Sequence, residues 1–222
     1  MRWLQHYAVT FPTVELNNSF YRLPSKAAFR AWRAQVDDRF LFAVKGSRYL
    51  THLKRLKDPS PPLDRLFRRL RPLGPTLGPV LFQLPPQFHV DLPRLERFLR
   101  ALGRQRLAPG VRATLEVRHA SWLVPETFDL LRKANVALCF HDARRQPVRE
   151  PVTADFVYVR RHGTAARYHG SYTDRMLGAD AERIARWLDA ALDVHVYFNN
   201  DGGGAAVRNA RRLRELLGAP EL

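Results

Sequence analysis

The chain has 222 residues, is 45% hydrophobic, and sets 37 Lys and Arg against 21 Asp and Glu, a formal net charge of +16. That length and apolar content suit one domain, read as residues 1–222, with a substantial core. No apolar run reaches membrane-spanning length, the start Met1-Arg2-Trp3-Leu4-Gln5-His6 lacks a secretory signal pattern, and the lone Cys139 excludes both a disulfide framework and a cysteine metal site within the chain.

The expected setting is the cytoplasm, without membrane association, and the charge points to anionic partners, either small phosphorylated molecules or nucleic acid. Lysine occurs only at Lys26, Lys45, Lys54, Lys57 and Lys133. Many arginines, such as Arg65, Arg68, Arg69 and Arg71, have helical spacing, so most of the excess reads as a solvated helix face.

In chain order, residues 1–10 resemble the end of a helix, which Phe11-Pro12 breaks. Thr13–Asn17 is a short strand with Glu15 and Asn17 on one face. The loop Asn18–Pro24 carries Tyr21. Ser25 reads as the N-cap of a helix over Lys26–Val36. Phe40–Lys45 is an apolar strand ending in a lysine, and the loop after it holds Arg48, Tyr49, Thr51, His52 and Lys54. Leu63–Arg71 is helical. Val80–Gln83 is a strand with a polar end, and Asp91 caps a helix over Leu92–Leu102.

Ala113–Trp122 starts as a buried strand and ends in charge. Alternation puts Glu116 and Arg118 on one face, with His119 and Trp122 in the following loop. A carboxylate and a guanidinium so placed are either a structural ion pair or part of a site. A helix follows over Pro125–Ala134, closed by Asn135. Val136–Phe140 is a wholly apolar strand leading into His141-Asp142. Asp155–Gly163 alternates, with Tyr158, Arg160 and His162 on one side. A helix over Ala179–Ala191, a last strand over Asp193–Asp201 carrying Tyr197 and Asn199, and a helix over Ala205–Leu217 complete the pattern.

Seven strands separated by helical crossovers run parallel, and they fit either an open doubly wound sheet or a closed α/β barrel. No G-x-G-x-x-G follows the first strand, while polar residues end nearly every strand, as in a barrel whose site collects at strand C-termini. The expected rim groups are Glu15, Asn17, Lys45, Gln83, Glu116, Arg118, Asp142, Arg160, His162, Tyr197 and Asn199. Tyr21, His52, His119, Trp122 and Asp201 join them from loops. Glu15, Glu116, Asp142 and His162 are the acid–base candidates; Lys45, Arg118 and Arg160 are the charge clamps. The loops containing Gly163 and Asp201-Gly202-Gly203-Gly204 are read as a phosphate site ahead of a helix N-terminus, or as sharp turns. No cofactor is assigned. His52, Glu116, His119, His141, Asp142 and His162 are suitable ligand types for a divalent metal, but no metal-binding spacing occurs, so a metal is not the favoured reading.

Several segments together resemble the domain-of-unknown-function family 72, the YecE-like family. They are Thr13–Asn17 with Phe20–Pro24; Phe42–Lys45 with Thr51-His52; Gly78–Pro86; Glu116–His119 with Ser121-Trp122; Asp142; Tyr158–Arg160 with His162-Gly163; and Tyr197–Asp201. The resemblance implies a TIM-type (β/α) barrel and supplies no established reaction. Members usually begin with an upstream strand containing a Gly-Thr-Ser-Gly-Trp-like segment. The expectation is therefore a barrel whose first strand is missing, truncated at its N-terminus, with seven strands visible.

Three functions follow from this pattern. The first is a barrel enzyme, a hydrolase or a lyase or isomerase, acting on a phosphorylated or otherwise anionic substrate, with Glu116 or Glu15 as base. The second is a metal-assisted phosphodiesterase on nucleic acid. The third is a non-catalytic nucleic-acid binder that stacks bases on Tyr21 and Trp122.

Overall fold

The structure is a computed structural model and describes residues 3–105, 110–142, 151–165 and 168–218. It contains two compact units, one running to Val136 and the other starting at Ala137. Each is built by alternating strands and helices.

In the first unit α1 (Trp3–Thr10) precedes β1 (Thr13–Leu16), and α2 (Lys26–Arg33) joins β1 to β2 (Leu41–Lys45). Ser25 accepts the Ala28 N–H at 3.1 Å, the cap expected from its sequence position. The chain continues through α3 (Ser60–Leu70), β3 (Leu77–Gln83), α4 (Leu92–Gly103), β4 (Ala113–Glu116) and α5 (Pro125–Lys133), and β5 (Val136–Leu138) runs from the last residue of this unit into the second. Asp91 caps α4 by accepting the Arg94 N–H at 3.0 Å. Helix α3 starts three residues before the expected Leu63, because Pro61 and Pro62 occupy its first turn, where a missing N–H costs nothing.

The strands lie in the order β1-β2-β3-β4-β5, and the β1–β2, β2–β3 and β3–β4 ladders are parallel. Their registers, Glu15 with Ala43, Lys45 with Leu81, Leu81 with Thr114 and Gln83 with Glu116, sort the side chains onto two faces. One carries Phe42, Val44, Val80, Phe82 and Leu115, all fully buried, and Phe82 meets Phe98 of α4 edge to face at 5.1 Å. Burying each such side chain contributes roughly 1.5–3 kcal/mol. The other face carries Glu15, Lys45, Gln83, Thr114 and Glu116, and of these Lys45, Thr114 and Glu116 are buried.

The second unit contains β6 (Phe140–His141), β7 (Phe156–Arg161), α6 (Asp174–Asp189), β8 (Asp193–Phe198) and α7 (Ala205–Leu216). Its sheet has the order β6-β7-β8 with parallel ladders. The expected strand Val136–Phe140 is thus split into β5 and β6. The Leu138 N–H donates to Thr153 Oγ1 at 2.8 Å instead of to a strand carbonyl, and pairing resumes at Phe140. Helix α6 begins at Asp174, five residues before the expected Ala179, because Thr173 caps it and accepts the Met176 N–H. The register places Tyr158, Arg160, His195 and Tyr197 on one face. Val157, Val159 and Phe140 form a core cluster on the other, with Trp187 of α6 packed against it. Among the described residues no helix is long and apolar enough to cross a membrane.

Candidate functional site

In the first unit the ends of β2, β3 and β4 place Lys45, Gln83 and Glu116 on one face, and Glu15 of β1 shares it. Glu116 is fully buried and accepts a hydrogen bond from Arg118 Nε, an ion pair in which Arg118 is 14% exposed. Lys45 is 9% exposed, and its Nζ lies 4.4 Å from the centroid of the Phe20 ring. The turn after β1 fixes that ring: Ser19 Oγ lies 2.9 Å from the Leu16 carbonyl and 2.7 Å from the Lys45 carbonyl, tying the ends of β1 and β2 together. Asn17 is half-buried before that turn, and its carbonyl accepts the Phe20 N–H. Tyr21 is 74% exposed and edge-on to Phe20 at 5.0 Å.

His52 comes from the segment after β2, which forms a π-helical turn, Tyr49–Leu53. Such turns are uncommon and recur at functional sites. Three non-glycine residues just beyond it hold positive φ: Arg55 at 45°, Leu56 at 63° and Asp58 at 40°. Each costs about 1 kcal/mol or more, so the surroundings must enforce the conformation. The fully buried Leu56 does so, donating its N–H to the Leu50 carbonyl at 2.9 Å. The turn sets the His52 ring against Phe20 at 4.8 Å, with Nδ1 2.9 Å from Thr51 Oγ1. Burial, reinforced by the positive charges of Lys45, Arg48 and Arg118, pushes the His52 pKa down to about 4, against a smaller opposing pull from Glu116. The imidazole is neutral at pH 7 and sits in a positive field.

Trp122 and His119 have other surroundings. Trp122 is fully buried, donates Nε1–H to the Phe88 carbonyl at 2.6 Å and packs on the Phe88 ring, so the structure places it in the core. His119 caps the turn after β4 through the Ser121 N–H, and its ring lies 3.8 Å from that of His89. A groove lined by Leu99, Leu102, Gln105, Ala113, Leu130 and Val136 opens at the starts of β4 and β5, the opposite strand ends from Lys45 and Glu116.

The second unit gathers Asp142, Arg160, His162 and Tyr197. Asp142 Oδ1 accepts the His162 N–H at 2.8 Å and lies 3.3 Å from His162 Nδ1, while Oδ2 accepts the Tyr172 hydroxyl. His162 Nε2 lies 3.2 Å from an Arg160 guanidinium nitrogen, while Nδ1 faces Asp142. Burial acts to raise the Asp142 pKa, but the hydrogen bonds from His162 and Tyr172 outweigh it and hold the carboxyl below its ordinary value. Burial and the Asp142 carboxylate push the Tyr172 hydroxyl up. Arg161, on the opposite face, makes two hydrogen bonds to Asp180 of α6. Tyr197 is buried, 5.0 Å from the Tyr158 ring, and Asn199 donates its N–H to the Arg161 carbonyl.

The glycines read as phosphate ligands have local duties. The Gly163 N–H donates to the Tyr172 hydroxyl at 2.8 Å. At the start of α7 the N–H groups of Gly204, Ala205 and Ala206 go to the carbonyls of Asp201, Gly202 and Asn200. Gly203, in the left-handed region at φ 62°, makes the turn itself. Tyr172, Asp180, Asn200 and Asn209 are not among the site residues expected from the sequence. Asn200 Nδ2 donates to the Gly170 carbonyl and to Asn209 Oδ1, and Asn209 Nδ2 donates to Ser171 and Tyr172. A buried Asn at a strand end facing an Asn at i+9 on the next helix was the available signal. Among the described residues no group of three or more His, Cys, Asp or Glu side chains is placed to hold a metal ion.

The chain is 26% identical to the UPF0759 protein YunF of Bacillus subtilis (strain 168) over 245 residues, covering 96% of this chain and 86% of that one. A DUF72 family protein of Thermotoga maritima superposes with a TM-score of 0.83 at 28% identity, covering 98% of this chain and 89% of the other. One from Enterococcus faecalis V583 gives 0.82 at 20% identity, covering 97% and 88%. A xylose isomerase-like TIM barrel/4-hydroxyphenylpyruvate dioxygenase fusion protein gives 0.55 at 17% identity, with 96% of this chain covering 40% of that one. The fold is a TIM-type α/β barrel. The model of the family "Protein of unknown function DUF72" matches residues 1–222, and the chain belongs to that family.

Proposed function

We propose that the protein is an enzyme acting on a small phosphorylated or otherwise anionic substrate held at the C-terminal ends of β2–β4. One observation carries this reading. Lys45, Arg48 and Arg118 together impose a positive field on His52, and Lys45 and Glu116 are buried on a strand face where an apolar core would need no charge. In this reading Arg118, Arg48 and Lys45 take the anion, His52 serves as a neutral hydrogen-bonding group, and Glu116 moves protons, with Glu15 as its neighbour on the same face.

The test is calorimetric titration with inorganic phosphate. Because Arg118→Met alone would take a positive charge away from a buried carboxylate, the informative variant is Arg118→Met/Glu116→Gln, which removes both charges of the pair. Losing a charge-assisted hydrogen bond should weaken phosphate by about tenfold or more. Unchanged affinity in the folded double variant would oppose the proposal.

A further inference from the structure

Only five of the chain's 37 basic residues are lysine. Lys26, Lys57 and Lys133 are exposed, and Lys54 is half-buried and paired with Asp58 at 3.2 Å. Lys45 is the buried one, in a chain that otherwise uses arginine almost everywhere. For holding an anion, arginine is the better group, since its fork is planar, always charged and bidentate. What lysine supplies and arginine lacks is an amine that gives up a proton and exposes a lone pair.

The surroundings fix where such an amine sits. Lys45 ends a barrel strand and faces Glu116 and Gln83 along the sheet. The charges of Arg48 and Arg118 reach the same small region, where they act on His52 beside Phe20. Nζ is held over the Phe20 ring, and the backbone at Lys45 is fixed from both sides. Ser19 binds its carbonyl, and Gly46 donates its N–H to the Leu81 carbonyl at 2.7 Å. A Cβ at position 46 would stand 3.0 Å from the Phe82 ring and 3.2 Å from the Leu81 carbonyl, so the glycine lets the strand end close down there.

We infer that Lys45 forms an imine with the carbonyl carbon of an anionic ketone or aldehyde whose carboxylate or phosphate is taken by Arg118 and Arg48. This rests on the anion-site reading above and names the class of substrate. The ε-amine adds to the carbonyl carbon, forming a C–N bond. Two of the three protons of the starting ammonium leave with the carbonyl oxygen as one water, and the third remains on the iminium nitrogen. Charge is conserved and nothing is oxidised or reduced. Glu116, on the same face, is the group that carries protons during this exchange.

The test incubates the protein with pyruvate, and separately with dihydroxyacetone phosphate, in the presence of sodium cyanoborohydride, then maps the reduced adduct by peptide mass spectrometry. Lys45 should be modified about tenfold or more above each of the four other lysines, although they are more accessible. Inorganic phosphate should protect it. Lys45→Arg should lose that adduct while keeping its unfolding midpoint. Labelling spread evenly over the exposed lysines, or absent from Lys45, would overturn the inference. Phosphate binding without an adduct at Lys45 removes the imine and leaves the anion site standing. An adduct at Lys45 that phosphate neither blocks nor competes for keeps the amine chemistry and removes the anion site.

Discussion

Arg118 donates Nε–H to a Glu116 carboxylate that has no exposed surface, while Arg118 itself keeps 14% of its own. The pair is asymmetric: Glu116 is wholly buried, whereas Arg118 still reaches solvent. Removing one partner of a buried pair typically costs about 3–5 kcal/mol, whereas removing both together costs far less. We therefore expect Arg118→Met to lower the unfolding free energy in urea by that order, and the double variant with Glu116→Gln to recover most of the loss. If the two single effects simply add, the pair is not coupled.

Both partners were legible from the alternation of residues 113–118, as were the strand ends at Lys45, Gln83 and Arg160. These positions follow from the two-residue period of a strand, which is local. The surroundings of His52 were not legible. The π-helical turn and the positive φ of Arg55, Leu56 and Asp58 depend on Leu56 filling a buried space, a tertiary effect without a local signature. Trp122 sat in a promising motif, yet its indole is consumed by Phe88, 34 residues away. The split between β5 and β6 likewise depends on Thr153, beyond any local window.

His52 provides a pH test. Its pKa is pushed from 6.5 to about 4 by burial and by Lys45, Arg48 and Arg118. The unfolded chain therefore takes up a proton near pH 6.5 that the folded protein refuses until about pH 4. The folded state has its full His52 contribution above pH 6.5 and loses it as pH falls through that window. In His52→Asn the decline of unfolding free energy between pH 6.5 and 4 should be shallower. Bound phosphate should raise the His52 pKa by offsetting the cations, a shift readable from the imidazole NMR signals. A titration near 6.5 in the free protein would contradict the field described here.

Tyr172 links Asp142 to the 163–172 loop by donating to the carboxylate and accepting the Gly163 N–H. Tyr172→Phe removes both bonds and leaves a polar N–H without its acceptor, at a cost of about 1–3 kcal/mol. Asp142 also loses one of the groups holding its pKa below 3.8. A depressed carboxylate stabilises above its unfolded pKa, and that contribution is lost as pH falls through the folded value. Acid unfolding of Tyr172→Phe should accordingly begin at higher pH, and amide exchange at Gly163 should accelerate. Unaltered exchange there would show that the hydroxyl does not secure the loop.

Two glycines separate the turn reading from the phosphate reading. Gly163 has φ 104°, and a Cβ there would stand 2.3 Å from the His169 carbonyl oxygen, a backbone atom. At Gly202 the first atom met would be His169 Nδ1 at 2.6 Å, part of an exposed side chain that can swing away. If these glycines serve the backbone, Gly163→Ala should destabilise by about 1 kcal/mol or more, and Gly202→Ala should be nearly silent. Phosphate affinity would then be unchanged in Gly202→Ala. If instead they cradle a phosphate, Gly202→Ala should weaken phosphate without touching stability. Thermal unfolding and phosphate titration of both variants decide between the two. We expect the first outcome, because the N–H groups at the start of α7 are already bonded to the carbonyls of Asn200, Asp201 and Gly202.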